Sequence, residues 1–410
     1  MKPETFDIIR QTVPVLEQHG ELLADCFYKN MFHNNPEVKA FFNPAHQHSG
    51  AQQRALAATI CAYARHIENF DQLQQLIGLI SQKHVSFGIK PEHYPIVENH
   101  FLLALREVMG ESATEEVIEA WTEAYGVLAG IFIDKEDDLY HQQQDKYGWT
   151  GFKTFLLFRR YSESSDITSF YLRPTDNKPL QAYLPGQYIT LKAQLTDGRQ
   201  IMRNYSLSMS PRDDYFRISV KRHVGMPGQQ AGVMSNLLHD RLHDGDLLLV
   251  SPPVGSFVLK RHDTVNHPVV LIAGGVGITP LMAMLQSGLV QDSKRSFTLI
   301  QLARNDEVLP FYEELSGLAE TYPNLHWYIR LSQPLTDDHN KQIHHSEGYI
   351  DHALFKQLSL DLQADYYLCG PPAMMQNTVR LLQEYGVNGS SIFIEYFGPY
   401  QQQPQARRFT

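Results

Sequence analysis

The spacing of apolar residues changes twice along this 410-residue chain, and no single fold class accommodates both changes. Over roughly the first 145 residues the period is helical. Ala51–Asn69, Asp71–Val85, Glu92–Met109 and Ser112–Tyr140 carry apolar side chains three and four apart. Pro36 and Pro44 bracket a short connection that holds Phe41 and Phe42. Gly88 and Pro91 divide two helices, with Pro91 at a first-turn position where its missing N–H does no harm. Ser112 and Glu115 fit a capping box. A polar run from Gln142 to Lys146 then gives way to alternation, with strands expected at Gly151–Tyr161, Ile167–Leu172, Gln187–Leu195, Met202–Met209, Tyr215–His223 and Asp246–Val250. Six strands at this spacing suggest a closed antiparallel barrel. Beyond about His267, strand alternates with helix: Val269–Ala273 with Thr279–Gln286, Phe297–Ala303 with Pro310–Leu318, and Tyr366–Cys369 with Ala373–Tyr385. That rhythm predicts a doubly wound parallel sheet.

Composition removes several other classes. Hydrophobic residues at 43% and charged residues at 20% argue against a disordered or fibrous chain. A net charge of −10 argues against nucleic-acid binding through broad phosphate neutralisation. Pro268 to Val290 has no charged residue and is long enough to span a bilayer, but Gly274, Gly275, Gly277 and Pro280 interrupt it. Strand, glycine turn and helix is the expected parse, and no transmembrane segment is expected. Residues 1–7 lack the apolar stretch of a signal peptide. Cys26, Cys61 and Cys369 form neither a disulfide framework nor a zinc pattern, which points to a reducing compartment and hence the cytoplasm.

In the helical third, His84 follows Leu76, Ile77, Leu79 and Ile80. A histidine on an apolar helix face suits an axial haem ligand; taken alone, it is more often a core residue bonded to a carbonyl. Tyr28 lies in an early helix, Phe42 in a corner, and Gln52 and Leu56 on one helix face. A phenol and an amide are donors that suit bound dioxygen, although Tyr28 also reads as a core aromatic and Gln52 as a surface residue.

In the barrel, Arg203-Asn204-Tyr205-Ser206 puts a cation, a ring and a hydroxyl on one strand, which suits a flavin pyrophosphate and isoalloxazine. Pro185-Gly186-Gln187-Tyr188 precedes it, and Gly232-Val233-Met234-Ser235-Asn236 opens a helix whose N–H groups and Ser235 hydroxyl can meet a phosphate. In the last third, Gly274-Gly275-Val276-Gly277-Ile278-Thr279 follows a buried strand and opens a helix. Its glycines permit close approach to a pyrophosphate, although three glycines in a turn are weak evidence alone. Cys369-Gly370-Pro371-Pro372 follows another strand, with Cys369 also reading as a small buried residue. His46, His48, His344 and His345 lack partners at metal spacing and read as solvated loop residues.

With these motifs in this order, the chain resembles the flavohaemoglobins, the nitric oxide dioxygenase family, over essentially its whole length. The resemblance implies three domains: an all-α globin (1–146), an antiparallel β-barrel FAD domain (147–262) and an α/β doubly wound NAD(P)-binding domain (263–410). It implies His84 as the iron ligand of haem b, Tyr94 and Glu136 polarising its imidazole, and Lys83 tuning redox behaviour. Tyr28 and Gln52 are the implied distal pair, with Phe42 and Leu56 in the pocket. Tyr188, Arg203, Asn204, Tyr205, Ser206 and Ser235 correspond to FAD-binding positions. Gly274, Gly275, Val276, Gly277, Ile278, Thr279, Cys369 and Gly370 fall at the nicotinamide nucleotide. Phe397, Gly398, Pro399 and Tyr400 match the terminal flavin-contacting segment, near Glu395.

The chain departs from the family's pattern at Asn204, commonly glutamine, at Tyr396, commonly cysteine, and in a longer stretch Val224–Ala231. The implied activity is conversion of nitric oxide and dioxygen to nitrate with NAD(P)H, by a monomer whose partners are those small molecules. A haem sensor or store, or a flavin- and haem-dependent reductase of peroxides, quinones or nitric oxide, is the alternative. A carboxylate behind the imidazole favours redox chemistry over carriage, because it makes the ligand more electron-releasing.

Overall fold

The computed structural model describes residues 1–42, 50–225, 231–261, 267–335 and 343–398. The chain packs as two units: Met1–Phe152 with Lys192–Arg203 and Gly398, and Lys153–Leu191 with Asn204–Phe397.

The first unit is built on α1 (Pro3–Asn34), α2 (Ala51–Arg65), α3 (Gln74–Phe87), α4 (Tyr94–Met109) and α5 (Glu115–Tyr147). In α1 the buried residues Ile9, Thr12, Leu16, Gly20, Leu23, Phe27 and Met31 repeat every three or four positions, so one stripe faces the core along its length. Gly20 lets α1 approach α2 closely: a Cβ there would lie 3.1 Å from that of Ala57. Trp121 on α5 and Phe101 on α4 meet edge to face at 5.3 Å in the same core.

The expected helix bounds shift by a few residues. A short 3-10 turn, Pro91–His93, takes up Pro91 before α4 begins. The cap of α5 is Thr114, whose hydroxyl accepts from the Val117 amide, rather than Ser112; Ser112 closes a preceding 3-10 turn, Gly110–Ser112.

After the helices the chain forms β1 (Lys153–Ser162), β2 (Ile167–Pro174), β3 (Tyr188–Gln194), β4 (Gln200–Ser206), β5 (Phe216–Lys221), α6 (Val233–Asp240) and β6 (Leu247–Val250), all in the second unit except the end of β3 and the first part of β4. The sheet order is β4-β3-β6-β1-β2-β5. An antiparallel bridge from Leu207, just past β4, to Ile218 on β5 joins the two edges, so the sheet closes as the alternation predicts. Phe155 and Phe216 stack at 5.5 Å inside it.

The chain continues through β7 (Val269–Gly274), α7 (Ile278–Gln291), β8 (Phe297–Ala303), α8 (Tyr312–Thr321), β9 (Leu325–Leu331), β10 (Ser346–Glu347), α9 (His352–Gln357), β11 (Asp365–Cys369), α10 (Pro372–Tyr385) and β12 (Ile392–Glu395). The sheet is parallel in the order β10-β9-β8-β7-β11-β12. Both faces are covered, by Leu281 and Leu285 of α7 on one side and Leu354 and Leu382 of α9 and α10 on the other. Strand order reverses between β7 and β11, with Ala273 beside Cys369. In open α/β sheets such a reversal leaves the crevice where ligands bind.

The uncharged stretch 268–290 is thus β7, a turn and most of α7. No described helix is long and apolar enough to cross a membrane.

His344 and His345 are not simply solvated. The His344 side chain is 11% exposed and meets Glu347 at 3.4 Å; His345 stacks on Tyr328 at 4.9 Å and its Nδ1 accepts from the Ile329 amide. His46 and His48 lie outside the described residues.

Candidate functional site

Helix α3 ends three residues beyond His84, because Gly88 adopts a left-handed φ of 78° that stops it. The Ile89 amide then returns to the His84 carbonyl at 3.0 Å, fixing the backbone of that residue. The imidazole Nδ1 lies 2.7 Å from Glu136 Oε1, and the Tyr94 hydroxyl donates to the same oxygen at 2.6 Å. Tyr94 oxygen is also 3.3 Å from Nδ1.

An ionised carboxylate only accepts, so Nδ1 carries the proton and Nε2 is the nitrogen left for a metal. Burial, reinforced by the bond to Glu136, pushes the Tyr94 hydroxyl far up, and it stays a donor. Glu136 is 3% exposed, whereas a third of the His84 side chain is open although Ser81 and Val85 beside it are buried. One ring nitrogen held and the other on an open face fits an axial haem ligand.

Two supporting residues escaped the sequence reading. Phe132 packs its ring 5.6 Å from the imidazole, and the Tyr140 hydroxyl donates to the Ile89 carbonyl at 2.6 Å. Both sit one helical turn from Glu136, a spacing that signals a shared face. Lys83 donates to the Gly398 carbonyl at 3.0 Å.

The expected distal residues also assemble. Tyr28 is 6% exposed and bonded to Gln52; burial raises its hydroxyl, and the Gln52 bond draws it partly back. Phe42 meets Tyr28 edge-on at 5.5 Å, and Leu56 packs against the same core. Phe32, one turn beyond Tyr28, stacks on it at 5.6 Å and was not anticipated.

On β4, Arg203 and Tyr205 are half-buried and Ser206 is buried. Asn204 turns into the barrel wall, where its Oδ1 accepts from the Thr190 hydroxyl at 2.7 Å. Tyr188 exchanges backbone bonds with Val254 at 2.9 Å, and Gly255 lies so close that a Cβ would stand 3.1 Å from the tyrosine ring. The Ser235 hydroxyl donates to the Gly232 carbonyl at 3.2 Å, at the start of α6.

The glycine turn after β7 divides its labour. A Cβ on Gly277 would be 2.2 Å from the Cys369 carbonyl oxygen, and one on Gly274 would be 2.5 Å from the Met374 sulfur. These two glycines, with Gly370, let the turns after β7 and β11 touch. Gly275 has a left-handed φ of 53° and open space around it, and with Val276 it forms the reachable part. Ile278 and Thr279 point inward; the Thr279 hydroxyl bonds the Val276 carbonyl at 3.0 Å. Cys369 is fully buried beside Glu395, and burial pushes its thiol well up. Phe397 is 48% exposed; Pro399 and Tyr400 lie outside the described residues.

Three family models match in chain order: a globin at residues 25–132, an oxidoreductase FAD-binding domain at 155–259 and an oxidoreductase NAD-binding domain at 271–380. The flavohemoprotein of Oceanobacillus iheyensis is 41% identical over 400 residues, covering 97% of each chain. That of Rhodopirellula baltica is 42% identical over 98% of this chain and 99% of its own. Among solved structures, the Malassezia yamatoensis flavohemoglobin with bound FAD and heme superposes with a TM-score of 0.84 at 27% identity, over 97% of this chain and 99% of that one. The FAD/NAD-binding domain of nitric oxide dioxygenase from Vibrio cholerae gives 0.54 at 31% identity, over 60% of this chain and 99% of its own.

Proposed function

This chain belongs to the flavohemoprotein family and is therefore an NAD(P)H-dependent oxidoreductase that carries haem and FAD, and we propose that its reaction is nitric oxide dioxygenation, giving nitrate from nitric oxide and dioxygen. The observation that carries this reading is the bonded set His84, Glu136 and Tyr94, present in one helical unit with the Tyr28–Gln52 pair. Haem and FAD, when bound, supply the electron-transfer and dioxygen chemistry that side chains lack.

The side chains hold and tune. His84 would offer Nε2 to the iron, while Glu136 accepts the hydrogen bond from Nδ1–H and the Tyr94 hydroxyl, donating to the same oxygen, fixes the carboxylate. A buried carboxylate in that place makes the imidazole more electron-releasing, which suits oxidation of nitric oxide better than reversible storage. Tyr28 presents a hydroxyl that burial keeps protonated, Gln52 orients it, and Phe42 and Leu56 exclude water. We assign Arg203 to the flavin pyrophosphate, Tyr188, Tyr205 and Phe397 to the flavin rings, Ser206 to a hydrogen bond at the ring edge and Ser235 to a phosphate. Gly275 and Val276, at the mouth of the β7–β11 crevice, take the nicotinamide nucleotide. Domain limits of 1–146, 147–262 and 263–410, a monomer and a cytoplasmic location complete the proposal; the three cysteines are all unpaired.

The test is NADH-dependent nitric oxide consumption by the haem- and FAD-loaded protein, with and without dioxygen, with nitrate assayed. Consumption that needs dioxygen and yields nitrate in equal amount is expected. Equal consumption without dioxygen, or none at all, overturns the assignment.

A further inference from the structure

Between the barrel and the parallel sheet of the second unit runs a chain of polar contacts centred on a buried guanidinium. Arg217 on β5 has a side chain only 5% exposed. Its Nε donates to the Ser208 hydroxyl at 3.2 Å, its Nη2 to the Ser208 carbonyl, and its Nη1 to Glu314 Oε2 at 2.9 Å. The other oxygen of Glu314 accepts from Gln286 Nε2, and Gln286 Oε1 accepts from the Ser210 amide at 2.7 Å. On the barrel side the network continues from Ser208 to Ser219 at 2.8 Å, to Ser169 at 2.6 Å, and to the Glu163 carboxylate.

The ends of this network matter more than its middle. Ser208 and Ser210 follow directly on the Arg203–Ser206 strand assigned to FAD. Gln286 sits on α7, whose first turn leaves the glycine motif assigned to the nucleotide, and eight helical residues at about 1.5 Å each form a stiff rod between them. Glu314 lies in the first turn of α8, next to Phe311, which is 2% exposed and held at a left-handed φ of 60° under the Arg217 guanidinium. A bulky aromatic takes that conformation only where its surroundings enforce it.

We infer that Glu314 and Gln286, bonded to each other and tied to the barrel through buried Arg217 and the Ser210 amide, are positioning residues: they set the approach of the nucleotide-binding turn to the flavin-binding strand, and so the rate at which NAD(P)H reduces the flavin. The inference rests on the cofactor assignments above. Hydride passes from nicotinamide to flavin as a proton with two electrons, oxidising the first and reducing the second. Because it needs near-contact of the two rings, a displacement of about 1 Å costs on the order of 100-fold in rate.

The experiment is anaerobic rapid mixing of the full-length, haem- and FAD-loaded enzyme with a series of NADH concentrations, following flavin absorbance. For Glu314→Ala and for Gln286→Ala, the limiting reduction rate is expected to fall roughly 10- to 100-fold. The long-wavelength nucleotide–flavin charge-transfer band should weaken, while flavin content and apparent NADH affinity stay near wild type; Gln286→Ala, which leaves the Arg217–Glu314 pair intact, also keeps its thermal midpoint. Glu314→Gln, which keeps an acceptor for Arg217, recovers part of the rate. Limiting rates within about twofold of wild type in both alanine variants overturn the inference. So does a fall in Gln286→Ala that only tracks lost flavin or a lowered midpoint. A wild-type flavin that NADH does not reduce at all defeats the cofactor assignments themselves and takes this inference with them.

Discussion

Replacing Glu136 by glutamine keeps the shape of the proximal cluster and removes its charge, so the effect of the charge can be worked out. Glu136 Oε1 takes two bonds, from His84 at 2.7 Å and Tyr94 at 2.6 Å, in a site where only 3% of the residue is exposed. A hydrogen bond to a charged group contributes about 1.5–3 kcal/mol and a neutral one about 0.5–1.5 kcal/mol. The swap therefore weakens the hold on the Nδ1 proton by about 1–1.5 kcal/mol. The carboxylate gives the imidazole anionic character, which favours the more highly charged ferric iron, so its loss must raise the potential. For a one-electron couple a tenfold change is 59 mV, and the rise is about 40–65 mV. Spectroelectrochemical titration of the Soret band in the loaded enzyme measures it independently of turnover. Tyr94→Phe supplies a control of opposite sign, because it returns the whole carboxylate to His84 and should lower the potential by a smaller amount. A midpoint in Glu136→Gln that stays within about 10 mV of wild type, or moves down, refutes the argument.

Three further outcomes follow from geometry. Tyr28→Phe should keep its haem and release dioxygen roughly two- to tenfold faster, the worth of one neutral hydrogen bond, as flash-photolysis rebinding and release rates will show. Gly277→Ala, whose Cβ falls 2.2 Å from a carbonyl oxygen, should lose about 2–3 kcal/mol in denaturant melts, against about 1 kcal/mol for Gly275→Ala, strained only in φ; the reverse order contradicts the packing described. Glu163 is held above its ordinary value of 4.5, chiefly by burial, so the native state keeps its proton more tightly than the unfolded chain does. That contribution is complete below the unfolded value and lost as pH rises through the folded one, so Glu163→Gln should raise the thermal midpoint more at pH 8 than at pH 4.

The parts of this molecule that were legible in the sequence are those whose role is written in the residue and its near neighbours. Period alone separates the helices of residues 3–147 from the strands that follow, because burial on one face repeats every three or four positions in the first and every two in the second. His84, Tyr94 and Glu136 carry distinctive chemistry, and the fold brings them into one bonded set although 52 residues separate the first from the last. The cap of α5 was misplaced by two residues because Ser112 and Thr114 are equivalent locally, and only the 3-10 turn before the helix decides between them. His345 reads as solvated because nothing nearby in sequence reveals Tyr328 and Ile329, which a neighbouring parallel strand brings to it.

The glycine turn marks where such reading stops. Gly274, Gly275 and Gly277 look alike in a motif, and phosphate approach explains all three equally well. In the fold the sheet order sets β11 beside β7, and the resulting contact with Cys369 and Gly370 claims Gly274 and Gly277, leaving open space only at the left-handed Gly275. The same holds for Arg217, Glu314 and Gln286, an arginine on a strand and two ordinary helix residues whose pairing spans up to 97 positions. A polar side chain on an amphipathic element has solvent as its expected partner. Only the packing of α8 on the barrel brings the carboxylate to the buried guanidinium. Residues proposed to hold cofactors can therefore be read from their chemistry, whereas those proposed to hold the cofactor sites in place need the topology first.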